Sequence, residues 1–358
     1  MTNWKTSFSH LVKHVFVQRS ASGLRAVEAA RGYLNDIKFR LVEDETEIPE
    51  EYLKGTTLYL CRHKGNPVGE CPGSKGHICC NYHTVDLYTG CSLGCTYCIM
   101  RSYLNFSPVS VFVDPGPSIE HIRETALQNP EKKLRVGTGE TGDSLLFDPI
   151  FQLSAEFIEA FSEIPNIYFE MKTKTDLVEH LFDIPAKGNG VVGFSLNPEE
   201  IGKSEEGISS PVKNRLDASL RAVHSGYLTS FHFDPVFKRP DWRELYFPLI
   251  DRLKTIPRAR IAWISLGTFR YPPQLKDRIA KRPYLYDEFV PSKDGKYRYI
   301  QRSRVRIYRE LVERIKSVTG APVYLCMESE AVWKRVFGGL PNEIADLNGI
   351  FDIDLPRR

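Results

Sequence analysis

A chain of 358 residues, 42% hydrophobic and 26% charged, is long enough to bury a large core and too apolar for a disordered polymer. Its formal net charge of +3 does not argue for nucleic acid by itself, because so small an excess can be spread over a solvated surface, though it permits a local basic groove. No apolar run approaches the roughly 18 residues that cross a bilayer, and the opening MTNWKTSFSHLVKHVFVQRS lacks the apolar core and cleavage site of a signal peptide, so the expectation is a cytoplasmic protein with no membrane partner.

Residues 1–83 read as an N-terminal α/β extension, with VFVQRS and KFRLVE extended, LRAVEAARGYLND helical, and a Cys/Gly-rich stretch at the end. From residue 84 strand-like and helix-like runs alternate. TVDLY enters a cysteine loop. SIEHIRETALQ is predicted helical, LRVGTG a strand, DPIFQLSAEFIEAFSEI a helix, IYFEMKT a strand, DLVEHLF a helix and GVVGFSLN a strand. PVKNRLDASLRAVHSG, LTSFHFDPVF, WRELYFPLIDRLKTI and ARIAWISLG continue the alternation to residue 270. Parallel strands with crossover helices predict an α/β fold with a partial (β/α)6-type barrel over 84–270. The remainder, 271–358, reads as a C-terminal extension: an irregular stretch, the helix VRIYRELVERIKSVTG, a seventh strand PVYLCME and the helix SEAVWKRVFG.

The cysteines point to chemistry. In a reducing compartment, clustered thiols more often serve metal or redox functions than disulfides. Cys91, Cys95 and Cys98 form C-x3-C-x2-C directly after the first predicted barrel strand. Structural zinc takes four protein ligands, whereas a cubane iron–sulfur cluster held by three thiolates keeps one iron open for another ligand. Cys61, Cys71, Cys79 and Cys80, with His63, His77 and His83 nearby, fit no standard metal framework, and both an auxiliary metal and simple packing stay open for them.

With Tyr97 in its aromatic slot, the triplet resembles the signature of radical S-adenosylmethionine (SAM) enzymes. The ordered series CPGSKGHICCNYHTVDLYTGCSLGCTYCIMRSYLN, GTGETGDSL, MKTKT, FSLNPEEIG, FHFDP, WISLGTFR and MESEAVWKRVFG further resembles the spore photoproduct lyase group and its DNA repair photolyase-like relatives. The resemblance implies a radical SAM barrel with a [4Fe-4S] cluster on Cys91, Cys95 and Cys98 and SAM chelated to the open iron. It also implies reductive cleavage to a 5′-deoxyadenosyl radical, and hydrogen abstraction in repair of a thymine-type DNA photolesion. A flavodoxin or ferredoxin would supply the electron. Tyr97 would pack near adenine, and Glu140 or Asp143, with Gly139 permitting close backbone approach, would receive the SAM ammonium. Lys174, Ser195 and Asn197 would meet its carboxylate and ribose; the alternatives are solvated charge for Lys174 and turn or cap chemistry before Pro198 for Ser195 and Asn197.

On the substrate side, His232 and Asp234 share one face if FHFDP is extended, and either bind substrate or order a polar interior. Arg270 is suited either to a phosphate grip or to a structural salt bridge. Asp294-Gly295 is a hairpin signal followed by Lys296, Tyr297, Arg298, Tyr299, Arg302, Arg304 and Arg306. In the family a similar hairpin lies against damaged DNA, which implies substrate contact for Lys296 and a wedge role for Tyr297. One departure stands out: where the family carries a hydrogen-returning cysteine, this chain has Glu140. Cys326, ending the seventh strand, is the replacement donor or a packed thiol. Three functions therefore stay open: the DNA repair enzyme, a radical SAM enzyme on another nucleoside, peptide or small molecule, and a nucleic-acid-binding protein with a structural cluster.

Overall fold

Short runs rich in β-branched and aromatic residues build the sheets of the computed structural model, which describes residues 10–71, 73, 76–279, 281–347 and 350. Strands His14–Gln18 (β1), Phe39–Val42 (β2) and Thr57–Cys61 (β3) open a first sheet. The chain then lays Val68–Glu70 (β4) and His83–Val85 (β5) into a second sheet and returns to the first with Tyr88–Thr89 (β6) and Val109–Phe112 (β7). Thereafter it supplies the second sheet with Leu134–Thr138 (β8), Ile167–Thr173 (β9), Gly190–Ser195 (β10), Leu228–Val236 (β11) and Ile261–Thr268 (β12). Arg270–Tyr271 (β13), Phe289–Pro291 (β14) and Tyr297–Tyr299 (β15) form a small antiparallel sheet, and Val323–Leu325 (β16) completes the large one.

The large sheet has the order β16-β12-β11-β10-β9-β8-β5-β4, parallel throughout except for β4 at its edge. It curls into the expected partial barrel. Its inner strands are buried on both faces, which is why Gly190–Phe194 reads as an unbroken apolar run rather than an alternating one. Crossover helices cover it. In Leu153–Phe161, Leu153, Phe157, Ile158 and Phe161 fall on one buried stripe, and Phe157 stacks on Phe169 of β9 at 5.0 Å. No helix among the described residues is long and apolar enough to cross a membrane.

The expected divide at residue 83 does not separate the sheets. β4 precedes it yet belongs to the barrel sheet, while β6 and β7 follow it yet complete the order β2-β1-β3-β7-β6. The cysteine-bearing segment 90–108 thereby becomes the connection of an antiparallel pair, Tyr88 opposite Val111 and Thr89 opposite Ser110. Alternation on β1 sends Val15 and Val17 into the core shared with the barrel and Phe16 into a smaller cluster with Val42, Tyr59 and Cys61. Two predicted helices change. DPIFQLSAEFIEAFSEI is split at Gln152, which takes a left-handed φ of 54° while the Asp148 carboxylate accepts from Ser154 N at 3.0 Å. DLVEHLF shrinks to the 3-10 turn Glu179–Leu181, too short to repay helix nucleation before Pro185.

Candidate active site

One cavity opens at the carboxyl ends of the parallel strands, where α/β folds of this kind gather their chemistry. Cys91, Cys95, Cys98, Tyr97, Gly139, Glu140, Asp143, Lys174 and Ser195 border it, and so do His232, Asp234, Arg270 and Cys326. Glu170, Lys172, Tyr82 and Tyr324 also line it and were not singled out in the sequence.

The cysteine loop is pinned from the segment after β10. Ile208 N donates to Leu93 O at 2.9 Å and Thr96 N to Glu205 O at 2.8 Å. A Cβ on Gly207 would stand 2.0 Å from Leu93 O, so only glycine lets the two backbones meet. Burial pushes the Cys95 thiol up to about 11, although Lys174 beside it works the other way. Among the described residues no three His, Cys, Asp or Glu side chains converge as ligands of a single ion would. Each thiolate of a cubane binds a different iron, so three cysteines spread along one cavity wall suit a cluster better than an ion.

Around this loop the charges are organised by a residue with no sequence signature. The Glu206 carboxylate accepts from the Tyr97 hydroxyl, from Asn197 Nδ2 at 3.0 Å and from Arg215 at 2.5 Å. Asn197 also accepts from the Tyr246 hydroxyl at 3.0 Å, which makes it part of a buried network with Tyr97 and Glu206. Burial opposes the charge of Lys174, yet the neighbouring Cys95 and Glu206 outweigh it and raise its pKa. Asp143 is likewise occupied: it accepts from Thr173 Oγ1 at 2.8 Å and from the backbone N–H groups of Lys174 at 2.8 Å, Leu145 at 3.1 Å and Leu146 at 3.0 Å. It locks the loop after β8 instead of offering a free carboxylate. Gly139, at φ 91°, sits where a Cβ would meet Lys172 O at 2.9 Å. Glu140 forms an ion pair with Lys172.

Across the cavity, strand alternation puts Glu170 and Lys172 on one face of β9. Two charges inside IYFEMKT were the available signal. Glu170 Oε1 is 2.8 Å from His232 Nε2 and accepts from Trp263 Nε1 at 3.0 Å, while His232 Nδ1 lies 2.6 Å from Ser265 Oγ. Burial alone would raise the Glu170 carboxyl, but His232, Arg135 and Ser230 hold it down at about 2. Arg270 grips Asp234 in a bidentate pair at 3.0 and 3.1 Å, and one of its nitrogens lies 3.9 Å from Cys326 Sγ. His232 and Asp234 thus face the same space, each already paired.

The Asp294-Gly295 turn joins β14 to β15 as expected. Much of the basic stretch is nevertheless internal. Arg298 is buried against Asp294 at 2.6 Å and Met327 O at 3.1 Å, and Arg304 against Glu328 at 3.0 Å. Arg302 and Arg306 are exposed. Tyr297 stacks on Tyr271 at 5.4 Å, and neither Tyr297 nor Lys296 borders the cavity; Lys296 lies 3.7 Å from Asp294.

With this geometry established, comparison with known proteins is informative. The model of the spore photoproduct lyase family matches residues 76–286, more than half of the chain. The spore photoproduct lyase of Bacillus subtilis (strain 168) is 23% identical over 172 residues, 48% of this chain and 50% of that protein. That of Clostridium acetobutylicum is 22% identical over 205 residues, 56% of this chain and 60% of that protein. The chain thus spans about half the length of the curated relatives it matches. A solved spore photoproduct lyase complexed with dinucleoside spore photoproduct superposes with a TM-score of 0.76 at 19% identity, covering 88% of this chain and 98% of the other. A mutant with bound AdoMet and the same dinucleoside matches with a TM-score of 0.76 at 18% identity, again over 88% and 98%. At these identities the superpositions establish the fold, and the match over residues 76–286 establishes that this chain belongs to the spore photoproduct lyase family.

Proposed function

We propose that the protein is a radical SAM enzyme of the spore photoproduct lyase type that repairs a thymine-type photolesion in DNA. The observation that carries this reading is the single cavity on which Cys91, Cys95 and Cys98 open beside Tyr97, Lys174 and Ser195, with His232, Arg270 and Cys326 across the same space. In it the three thiolates would hold a [4Fe-4S] cluster, and Lys174, Ser195 and Tyr97 would hold SAM. When bound, the cluster and SAM supply an electron and a 5′-deoxyadenosyl radical that abstracts hydrogen from the substrate.

The chain's own residues do the rest. The Lys174 ammonium meets a carboxylate in a charge-assisted contact, and Glu206 fixes the Tyr97 ring through its hydroxyl. Asp234 occupies two of the five N–H donors of Arg270, with Thr268 O at 3.4 Å and Met327 Sδ at 3.5 Å against its terminal nitrogens, so the pair fixes the guanidinium as a positive charge on the cavity wall. Leu93, Ile99, Met100 and Phe269 line the cavity with apolar surface that keeps water from a reactive intermediate. Lys296 and Tyr297 extend the substrate surface beyond the cavity, where an aromatic wedge suits an extruded lesion. Glu140 cannot return hydrogen, since a carboxyl O–H bond is too strong to donate readily and its charge is tied to Lys172. Cys326 is the donor in this reading. A one-electron donor of the flavodoxin or ferredoxin class and a reducing, cytoplasmic setting follow from the cluster and free thiols.

The Glu140–Lys172 pair supports a second reading, in which the same radical chemistry serves a different nucleoside, peptide or small molecule. The test is anaerobic reconstitution, reduction with dithionite and addition of SAM with dinucleoside spore photoproduct. Methionine, 5′-deoxyadenosine and repaired dinucleotide are expected. Replacing Cys91, Cys95 or Cys98 by Ala should remove most of the cluster iron. Cleavage of SAM without repair of any photolesion would favour the second reading, and no cleavage at all would overturn both.

A further inference from the structure

A network of buried polar side chains crosses the floor of the cavity and is not used by the steps above. Its members come from neighbouring strands: Glu170 from β9, Ser230 and His232 from β11, and Trp263 and Ser265 from β12. Three hydrogen bonds converge on Glu170 Oε1, from Ser230 Oγ, from Trp263 Nε1 at 3.0 Å and from His232 Nε2 at 2.8 Å. The bridge from β9 to β11 passes over β10, and Gly193 makes that possible. A Cβ there would stand 2.8 Å from Ser230 Oγ, 2.9 Å from Glu170 Oε1 and 3.1 Å from His232 Nε2.

A carboxylate oxygen can only accept, so the His232 Nε2 hydrogen is committed to Glu170. The other ring nitrogen, Nδ1, is thereby turned to β12, where it lies 2.6 Å from the Ser265 hydroxyl. His232 and Ser265 are register partners, as are Ser265 and Tyr324, so these three form one row across β11, β12 and β16. All three border the cavity, and so does Glu170. Ser265 ends this chain of bonds with capacity to spare. A hydroxyl has one hydrogen and two lone pairs, and among the described residues His232 is its only hydrogen-bond partner. When Nδ1 accepts, the lone pairs of Ser265 remain for the cavity; when Nδ1 donates, the hydroxyl hydrogen remains. The carboxylate at the far end polarises each bond along the chain. Asp234 and Cys326 follow His232 and Tyr324 by two residues and border the same cavity, which places the row one level below them, about 7 Å along the strands. That is the breadth of a six-membered ring with its exocyclic groups.

We propose that the Ser265 hydroxyl, held by His232 and Glu170, hydrogen-bonds the imide edge of the substrate base, so that the cavity selects a six-membered cyclic imide; this role rests on the cavity's being the photolesion site proposed above. An imide presents an N–H between two carbonyl groups, and a hydroxyl that can donate or accept meets either. In thymine the imide nitrogen lies across the ring from the C5–C6 edge at which photolesions join. With the imide on Ser265, that edge stands at the level of Cys326. Ser265 is the binding group, and His232 and Glu170 are positioning residues.

Anaerobic equilibrium dialysis of reconstituted, unreduced holoprotein with SAM is the test. The probes are dinucleoside spore photoproduct and the same compound methylated at its imide nitrogens. Wild type should bind the parent about fivefold or more tighter than the methylated probe, the scale of one neutral hydrogen bond. Ser265→Ala and Ser265→Val should lose that preference, whereas Ser265→Thr, which matches Val in shape but keeps a hydroxyl, should retain it. His232→Asn should lessen the preference and change nothing further in the Ser265→Ala background. General damage to the fold would weaken both probes together and leave their ratio unchanged. A Ser265→Ala protein that keeps the wild-type preference would overturn the proposal, as would equal binding of the two probes by wild type. If the Ser265 variants do not fold, that wild-type comparison and His232→Asn still decide. Repair of the parent dinucleoside by dithionite-reduced wild type reports separately on the proposed function. Repair with equal binding of both probes would remove the role of Ser265 alone, and neither binding nor repair would remove both.

Discussion

Glu206→Ala tests the buried network that holds the cofactor side of the cavity. Glu206 is 0% exposed and its partner Arg215 1%, at 2.5 Å. Truncation leaves Arg215 with neutral partners only, Ser210 O at 2.8 Å, Ser195 O at 2.9 Å and Ser209 Oγ at 2.6 Å, and no counter-charge. Removing one member of a buried pair costs about 3–5 kcal/mol. A 358-residue chain unfolds with an entropy of about 0.75 kcal/mol/K at roughly 2.1 cal/mol/K per residue, so that loss lowers Tm by about 4–7 °C. Far-UV circular dichroism melts under anaerobic conditions measure it. Glu206→Leu combined with Arg215→Met should recover most of the loss, because two apolar side chains leave no charge stranded. SAM affinity should also fall in Glu206→Ala, because Tyr97 loses its anchor and Lys174 a negative neighbour. A Tm within about 1 °C of wild type would refute the assignment of Glu206 as the counter-charge.

Lys174→Ala should weaken SAM binding by roughly tenfold or more, the loss of one charge-assisted contact of about 1.5–3 kcal/mol, by equilibrium dialysis with the fold intact. Tyr297→Ala should lose lesion-dependent binding in a salt-controlled DNA titration while SAM cleavage without DNA persists. Cys326→Ala should still consume the lesion but divert the product radical into adducts; a normal repaired yield would remove Cys326 as donor. Glu170 is held at about 2, below its ordinary 4.5, so its contribution is complete above pH 4.5 and lost as pH falls towards 2. Urea midpoints of Glu170→Gln should therefore fall less steeply than wild type across that window, and parallel curves would contradict the ion-pair account.

The barrel strands were legible because parallel, doubly covered strands are continuous apolar runs, and the cysteine spacing marked the loop. Residues at strand ends, such as Lys174, Ser195 and Arg270, were legible because topology alone sends them to one rim. The rest depended on contacts that cross the chain. Glu206 and Arg215 look like two ordinary charges on helical surfaces until folding buries them together. Arg298 and Arg304 look like a nucleic-acid surface until Asp294 and Glu328 claim them. Asn197, read as a strand end, lies two residues beyond β10 and turns into the network of Tyr97 and Tyr246. Strands β3 and β7 were missed because they pair with partners distant in sequence, and the Cys-rich loop is bridged at Ile78 to Glu328, just after β16 and far along the chain.

The antiparallel pair of β6 and β7 has a mechanical consequence. Both ends of the cysteine loop are clamped in the first sheet, whereas Lys174 and Ser195 stand at the ends of strands in the second. The span between thiols and SAM-facing groups is therefore set from both sides, by that clamp and its apolar packing on the barrel and by the backbone bonds of Leu93 and Thr96 to the segment after β10. A packed joint of that kind has a few discrete seatings rather than a continuous range. Trimming Val15, Val17 or Leu60, all remote from the cavity, would reseat the first sheet and shift the cysteines against the barrel. The N-terminal strands are in this sense the fixed jaw of a vice, and the barrel rim is the other.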